Sequence, residues 1–224
     1  MSNRDFYRNI VTTSDGSHTL YVPELDEHYH SINGAVQESE HIFIRNGFDF
    51  CTDEPLCIFE AGFGTGLNTL LTALKSLKGK REVFYTAIDK YPLNNVIIRA
   101  LNYAQFTSDG GQELFNRIHD CEWGKMTRIC MNFSLMKISG DLVSDDLSGM
   151  FGLIYFDAFG PDKQPEMWTK EILRKISGIT AAGGIFITYS SKGDVKRNLR
   201  DSGFRVDLLP GPPGKRHFIR AVKL

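Results

Sequence analysis

Apolar positions along the first 50 residues follow no single period. Ile10 to Thr13 and Thr19 to Val22 alternate around the turn formers Ser14-Asp15-Gly16-Ser17, which predicts a hairpin. The stretch from Tyr29 to Ile44 has apolar residues at mixed helical spacing and predicts a helix ending near Gly47. From Leu56 onward the pattern changes to short apolar runs alternating with 3.6-period segments. It predicts a strand over 56–60, a helix over 67–77, a strand over 83–88 closed by Asp89, and a helix from Pro92 to about Asn102, with proline in the first turn. A helix near 112–118 follows, then a hairpin of 128–131 with 134–138 whose second strand runs out at Gly140-Asp141. The unbroken apolar run Phe151 to Phe156 reads as a strand buried on both faces, followed by a helix over about 165–177. Gly183-Gly184 introduce a strand over 185–189, and a helix over 194–201 is capped at Ser202-Gly203. Phe204 to Leu209 and His217 to Val222, joined by a Pro-Gly-Pro-Pro-Gly turn, predict two strands at one edge.

Strand and helix in alternation build a parallel sheet. The expected organisation is therefore an α/β domain over 51–224, mostly parallel with an antiparallel C-terminal edge, preceded by a small extension over 1–50 made of hairpin and helix. A length of 224 residues with 42% hydrophobic content suffices for one such core.

Overall charge is −1, but its distribution is uneven: residues 189–224 hold nine Lys/Arg against three Asp, a net of +6, and the remainder carries −7. A polyanion has a docking end on an otherwise acidic protein, unless that end is only a solvated surface. Cys51, Cys57, Cys121 and Cys130 form no C-x-x-C pair and sit mostly in apolar runs, and there is no signal core or membrane-length apolar stretch. A reduced, cytoplasmic protein without contact to a membrane is expected. His28, His30 and His41 lack the company of a closed ligand set, so no metal is expected.

Candidate chemistry gathers at the predicted strand ends. Residues 56–68 run from a strand through Gly62, Gly64 and Gly66 into a helix, a turn open to close approach by a nucleotide. A dinucleotide fingerprint needs its third glycine one place later, which disfavours an NAD-dependent oxidoreductase. Asp89 closes the second strand 27 residues after Gly62, where its carboxylate can accept from both ribose hydroxyls. Asp141 is placed to meet an adenine amino group, with a plain turn aspartate as the alternative. Asp157 ends the buried run. It can face a ligand there, or it can cap the following turn while Phe159 and Trp168 fill core.

The glycine loop with Glu60 resembles motif I of class I S-adenosylmethionine-dependent methyltransferases, which implies a Rossmann-like fold and S-adenosyl-L-methionine as cofactor. Five blocks together resemble the MnmC-like tRNA methyltransferase family from about residue 15 onward: Tyr29-His30-Ser31 with Gly34-Ala35 and Glu38; Glu60 to Asn68; Asp89-Lys90-Tyr91-Pro92-Leu93; Asp157 to Trp168; and Gly214-Lys215-Arg216. The resemblance implies methylation of the aminomethyl nitrogen on a wobble-position uridine of tRNA, giving 5-methylaminomethyl(-2-thio)uridine. It implies a cofactor set of Glu60, Gly62, Gly64, Gly66, Asn68, Asp89, Lys90, Asp141 and Asp157. It further implies Asp157 and Phe159 as catalytic, and Tyr29, Glu38, Phe159, Trp168, Lys215 and Arg216 as contacts to the tRNA substrate at its anticodon region; the +6 segment adds Lys192 and Lys196 to that set by charge. Some members carry a fused FAD-dependent oxidase domain for which 224 residues leave no room, so a stand-alone form supplied with its amine by a separate enzyme is expected. Two other readings on this sequence are an aminopropyltransferase, whose second acid near Asp157 is missing, and a non-catalytic tRNA-binding module.

Overall fold

The computed structural model describes residues 7–107 and 110–224; the first six residues of the expected extension lie outside the described residues. Strands β1 (Asn9–Thr12), β2 (His18–Val22) and β3 (Glu27–His28) form a small antiparallel sheet. The predicted hairpin is its first pair. Helix α1 (Ala35–Ser39) runs on as a π-helix over Glu40–Phe48. That geometry fits the mixed apolar spacing: i→i+5 hydrogen bonds widen the turn, and Ile42, Phe43, Ile44, Gly47 and Phe48 are its buried residues. Gly47 packs closely there: a Cβ would stand 3.1 Å from the Tyr155 ring.

The main sheet contains β4 (Leu56–Ala61), β5 (Val83–Asp89), β6 (Thr127–Cys130), β7 (Phe133–Ser139), β8 (Phe151–Phe156), β9 (Thr180–Thr188), β10 (Phe204–Pro210) and β11 (His217–Lys223). Its order is β10-β11-β9-β8-β4-β5-β7-β6. The centre from β7 to β9 is parallel, while β6, β11 and β10 add antiparallel edges. Helices α2 (Leu67–Gly79) and α4 (Gly111–Asp120) share one apolar layer with the π-helix, built on Phe43, Leu70, Phe115 and Tyr155. Helices α5 (Lys170–Ile179) and α6 (Gly193–Asp201) cover the other face through Ile172, Leu173, Ile176, Val195 and Leu199. Every residue of β8 is buried between these layers, as its continuous apolar run requires.

Two helices differ from the sequence reading. The segment after Asp89 becomes helical only at α3 (Asn95–Ala100), because Asn94 caps it by accepting from the Ile97 N–H at 3.0 Å, leaving Pro92 in the preceding loop. The helix expected over 165–177 is a 3₁₀ turn, Pro165–Trp168, broken at Thr169, whose extended backbone and hydroxyl cap α5. The break turns Met167 toward the mouth of β8 and Trp168 into the core.

Strand order reverses between β4 and β8, and loops leaving the carboxyl ends of two such strands diverge and leave a crevice. Here the two ends are tied: the Asp157 N–H donates to the Ala61 carbonyl at 3.0 Å. A Cβ on Gly62 would stand 2.8 Å from the Asp157 carbonyl oxygen, and its φ of 93° excludes other residues as well.

Candidate active site

A cavity of about 300 Å³ opens at this switch point. Its floor is the glycine loop and the strand ends at Asp89, Asp141 and Asp157; its roof is Arg8, Val22, Leu25, Tyr29 and His30 from the small sheet, and its far wall runs from Phe159 to Met167.

At one end the Asp89 carboxylate accepts from the Gly64 N–H at 2.7 Å and the Tyr91 N–H at 2.8 Å, one bond to each oxygen. Burial raises its pKa, and these two donors with Arg8 oppose the rise. Each carboxylate oxygen can accept a second bond, so a ribose diol fits above the loop. Gly64 has φ of 51°, and a side chain there would press on the Tyr29 ring. Arg8 spans the roof, with Nε donating to the Tyr29 hydroxyl at 3.0 Å and Nη2 to the Tyr91 carbonyl at 3.3 Å. Beyond Asp89, Asp141 pairs with Lys90 at 2.6 Å and accepts from the Val143 N–H. Burial would raise its pKa, but these donors hold it below the ordinary value. Asp89→Ala is expected to weaken adenosine-nucleoside binding by about 1 to 3 kcal/mol, the scale of lost charge-assisted hydrogen bonds. Calorimetry checks this, and unchanged affinity would put the ribose elsewhere.

At the other end one amide joins two acids. Asn68 Nδ2 donates to Glu60 Oε1 at 3.0 Å and to Asp157 Oδ2 at 2.8 Å. Burial and the nearby Glu38 charge raise the Asp157 pKa to about 7, against the pull of Asn68 and Lys215. Glu60 is pushed to about 8, by burial first and then by Asp157. The loop after Asp157 is pinned from both sides: the Tyr189 hydroxyl donates to the Ala158 carbonyl at 2.9 Å, and Trp168 Nε1 to the Phe159 carbonyl at 2.8 Å. Phe159 meets the edge of Tyr29 at 5.1 Å between ring centres, an aromatic corner beside the Asp157 carboxylate.

Gly62, Gly64, Asn68, Asp89, Lys90, Asp141, Asp157, Tyr29 and Phe159 thus line one cavity, and the rest of the sequence-expected set does not. Glu60 is 1% exposed and lies beneath Asn68, where Thr69 also donates to it, so it positions the wall rather than forming it. Gly66 adopts the left-handed backbone that opens α2, packed near His119. Trp168 stacks edge-on against Phe156 in the core. Glu38 is buried in an ion pair with Lys215 at 2.6 Å, and Lys215 also lies 4.0 Å from the centre of the Tyr189 ring. That engagement leaves the Lys215 side chain 25% exposed, held between Glu38 and Tyr189. Lys192 pairs with Asp162, while Lys196 is half-buried and Arg216 exposed on the outside.

The sequence reading missed Arg8, His30, Tyr91, Lys163, Glu166, Met167 and Tyr189. Tyr189 carried a signal, since it follows the carboxyl end of the fifth parallel strand; Arg8 carried none. Among the described residues no group of three or more His, Cys, Asp or Glu could hold a metal ion, and no helix is long and apolar enough to cross a membrane.

A family model described as S-adenosyl-L-methionine-dependent methyltransferase matches residues 112–224. The tRNA 5-methylaminomethyl-2-thiouridine biosynthesis bifunctional protein MnmC of Leptospira interrogans is 29% identical over 211 residues, covering 88% of this chain and 32% of that protein. The protein of the same name from Pseudoalteromonas atlantica is 26% identical, covering 96% and 33%. The chain thus spans about a third of the length of these relatives. Among solved structures, MnmC2 from Aquifex aeolicus superposes with a TM-score of 0.79 at 24% identity, covering 99% of this chain and 72% of that one. Spermidine synthase from Thermotoga maritima gives 0.56 at 12%, covering 99% and 70%. At these identities the likeness bears on the fold.

Proposed function

The chain belongs to the S-adenosyl-L-methionine-dependent methyltransferase family, and from that premise we propose that it methylates the primary amine of 5-aminomethyl(-2-thio)uridine at the wobble position of tRNA. The observation that carries the reading is that Asp157 and the Tyr29–Phe159 aromatic corner line the same nucleoside-sized cavity. Bound in the cavity, S-adenosylmethionine supplies an electrophilic methyl on a sulfonium leaving group.

What the chain's residues must add is a base held in place and an amine with a free lone pair. Phe159 and Tyr29 give a uracil ring apolar surfaces to pack on. Asp157, with a pKa near neutrality, accepts a hydrogen bond or a proton from the attached amine. Asn68 fixes the carboxylate on one oxygen and leaves the other for the substrate. The pins from Tyr189 and Trp168 keep Asp157 and Phe159 in one geometry, which is where a loop would otherwise lose alignment. The name of the curated relatives supplies the substrate class, and the amine itself is the product of a separate active site.

Outside the cavity, Lys192, Lys196 and Arg216 are the cations available to the phosphates of an anticodon stem-loop. The Lys192–Asp162 pair is exposed and offers little resistance to exchange for a phosphate. The test is methyl transfer to tRNA bearing the aminomethyl group, with mass analysis of its nucleosides. One added methyl on the modified uridine is expected, and none on tRNA lacking the amine. In the Lys192→Ala, Lys196→Ala, Arg216→Ala triple variant each lost contact should reduce the log-log salt slope of tRNA binding by about 0.7. Equal slopes would remove these residues from the docking surface, and efficient turnover of the free nucleoside would remove the need for tRNA.

A further inference from the structure

Arg8, Lys90 and Lys163 bring the cavity its permanent cations, and the first two are engaged. Arg8 donates to the Tyr29 hydroxyl and the Tyr91 carbonyl, and Lys90 pairs with Asp141 at 2.6 Å. Lys163 differs. Among the described residues its ammonium has one ionic neighbour, Asp26 at 3.9 Å, beyond hydrogen-bond length, and the Asp26 side chain is 82% exposed. The contact runs from the far wall to the turn between β2 and β3, which also carries the roof residue Leu25. It therefore lies where the cavity meets solvent.

The backbone beneath Lys163 is held. Its N–H and that of Gln164 both donate to the Gly160 carbonyl, at 2.8 and 2.9 Å, on the loop that Tyr189 and Trp168 pin. The same loop presents Asp157 and Phe159, so a base that packs on Phe159 has Lys163 on its own wall. A nucleotide within a strand has a phosphate one sugar away from its base on either side. That charge meets an acidic rim, because Asp89, Asp141, Asp157 and Glu166 line the cavity and Asp26 stands at its edge. A phosphate there needs a cation within reach, and an ammonium on a flexible four-carbon stem can swing to meet it. Next to Lys163 in sequence, Asp162 pairs with Lys192, so the cations outside the cavity continue inward to this point.

We propose that Lys163 holds a phosphate flanking the wobble uridine where the cavity meets solvent, and that Asp26 keeps that place in the free protein. The inference rests on the reading of the substrate as a uridine within RNA and goes beyond it. It makes Lys163 a contact by which the enzyme distinguishes a nucleotide in a strand from a free nucleoside. Asp26 suits a placeholder, since its turn is fixed without Lys163. Its N–H donates to the Pro23 carbonyl at 3.1 Å, and its other carboxylate oxygen accepts from the Tyr21 hydroxyl at 2.9 Å. Its φ of 46° is a conformation that Asp and Asn tolerate better than most side chains. An exposed pair at such a distance is weak and gives way to a phosphate oxygen at little cost.

Anticodon stem-loop RNA bearing 5-aminomethyluridine tests this, made with native phosphates or with a neutral methylphosphonate on the 5′ or the 3′ side of that uridine. For wild type, one of the two neutral linkages is expected to weaken binding roughly three- to tenfold, the range between an exposed ion pair and a charge-assisted hydrogen bond. In Lys163→Met that penalty should largely vanish, and Lys163→Arg, which keeps the charge, should restore it. Asp26→Asn, which keeps the turn and releases the ammonium, should tighten binding of the native RNA severalfold. A penalty of the same size in wild type and Lys163→Met would overturn the proposal, as would a wild type indifferent to both neutral linkages. Weaker binding of S-adenosyl-L-homocysteine by Lys163→Met would give the cation to the cofactor and overturn it too, and native RNA bound no tighter by Asp26→Asn would overturn the placeholder role. Failure of wild type to transfer a methyl to any of the three RNAs would instead overturn the underlying reading of the substrate.

Discussion

Replacing Asp157 by Asn is expected to lower the single-turnover rate of methyl transfer by about two orders of magnitude or more, the scale of a positioned acid-base group. Asn keeps the size of the side chain and a hydrogen bond to the amine, but it has no basic oxygen. The sign of the pH effect follows from the raised pKa. Burial and Glu38 hold the Asp157 proton up to about pH 7, so the basic form, and with it the rate, grows as pH rises through neutrality. That limb should vanish in Asp157→Asn. Glu38→Gln removes a negative neighbour and leaves the Lys215 cation behind, so both changes favour the Asp157 carboxylate and the limb should move to lower pH. Rate profiles of the three proteins on the same aminomethyluridine tRNA check this. An Asp157→Asn enzyme with the wild-type rate would make Asp157 structural.

Much of the fold was legible because parallel strands buried on both faces leave little room for ambiguity. The run Phe151 to Phe156 and the glycine-ended run Leu56 to Ala61 declare themselves by composition and by the switch to helical spacing after Gly66. Helix ends were less legible, because local side chains decide them. Asn94 and Thr169 each offer a backbone N–H an alternative to continued helix, and each shortens the segment that periodicity alone predicts. The π-helix over Glu40–Phe48 was legible as a helix but not as this one, since its apolar wall repeats at a spacing that an ordinary helix would spread around its axis.

Of the candidate site, the strand-end carboxylates and the glycines were readable from the rule that ligands sit outside the carboxyl ends of parallel strands. Pairings across the chain were not. Lys215 and Glu38 stand 177 residues apart in sequence, and no local pattern reports that one neutralises the other beside Tyr189. Arg8 reaches the roof because β1 carries it there, and its sequence surroundings resemble any polar strand start. The acidic member of the glycine motif, Glu60, was legible as an acid at the right place but not as one buried out of reach of the cavity, since an ionised carboxylate at full burial is the less common outcome. Its state is the point on which the second large effect turns.

Glu60 is expected to make the protein less stable as pH rises, and Glu60→Gln to remove much of that loss. Its folded pKa, about 8, lies above the ordinary 4.5, chiefly because burial penalises the charge and Asp157 stands nearby. Between those values the folded chain holds a proton that the unfolded chain has released, so this contribution to stability is complete below about pH 4.5 and declines as pH rises through the folded pKa. At one pKa unit per 1.36 kcal/mol the interval corresponds to roughly 5 kcal/mol, on the order of 10 to 20 °C in melting temperature for a chain of this length. Asp157, raised in the same direction, adds to the slope. Glutamine copies the protonated acid without its titration: its carbonyl can accept from Asn68, and the Thr69 hydroxyl can turn to meet its amide. Glu60→Ala is the contrasting case, because it leaves the Asn68 and Thr69 donors facing a cavity at a cost of about 2 to 4 kcal/mol and releases the amide that orients Asp157. Thermal melts from pH 5 to 9 should therefore show a flattened profile for Gln and a uniformly lowered one for Ala, with transfer activity kept in the first and reduced in the second. A Gln variant whose melting temperature falls with pH as steeply as wild type would place the titrating proton on another group.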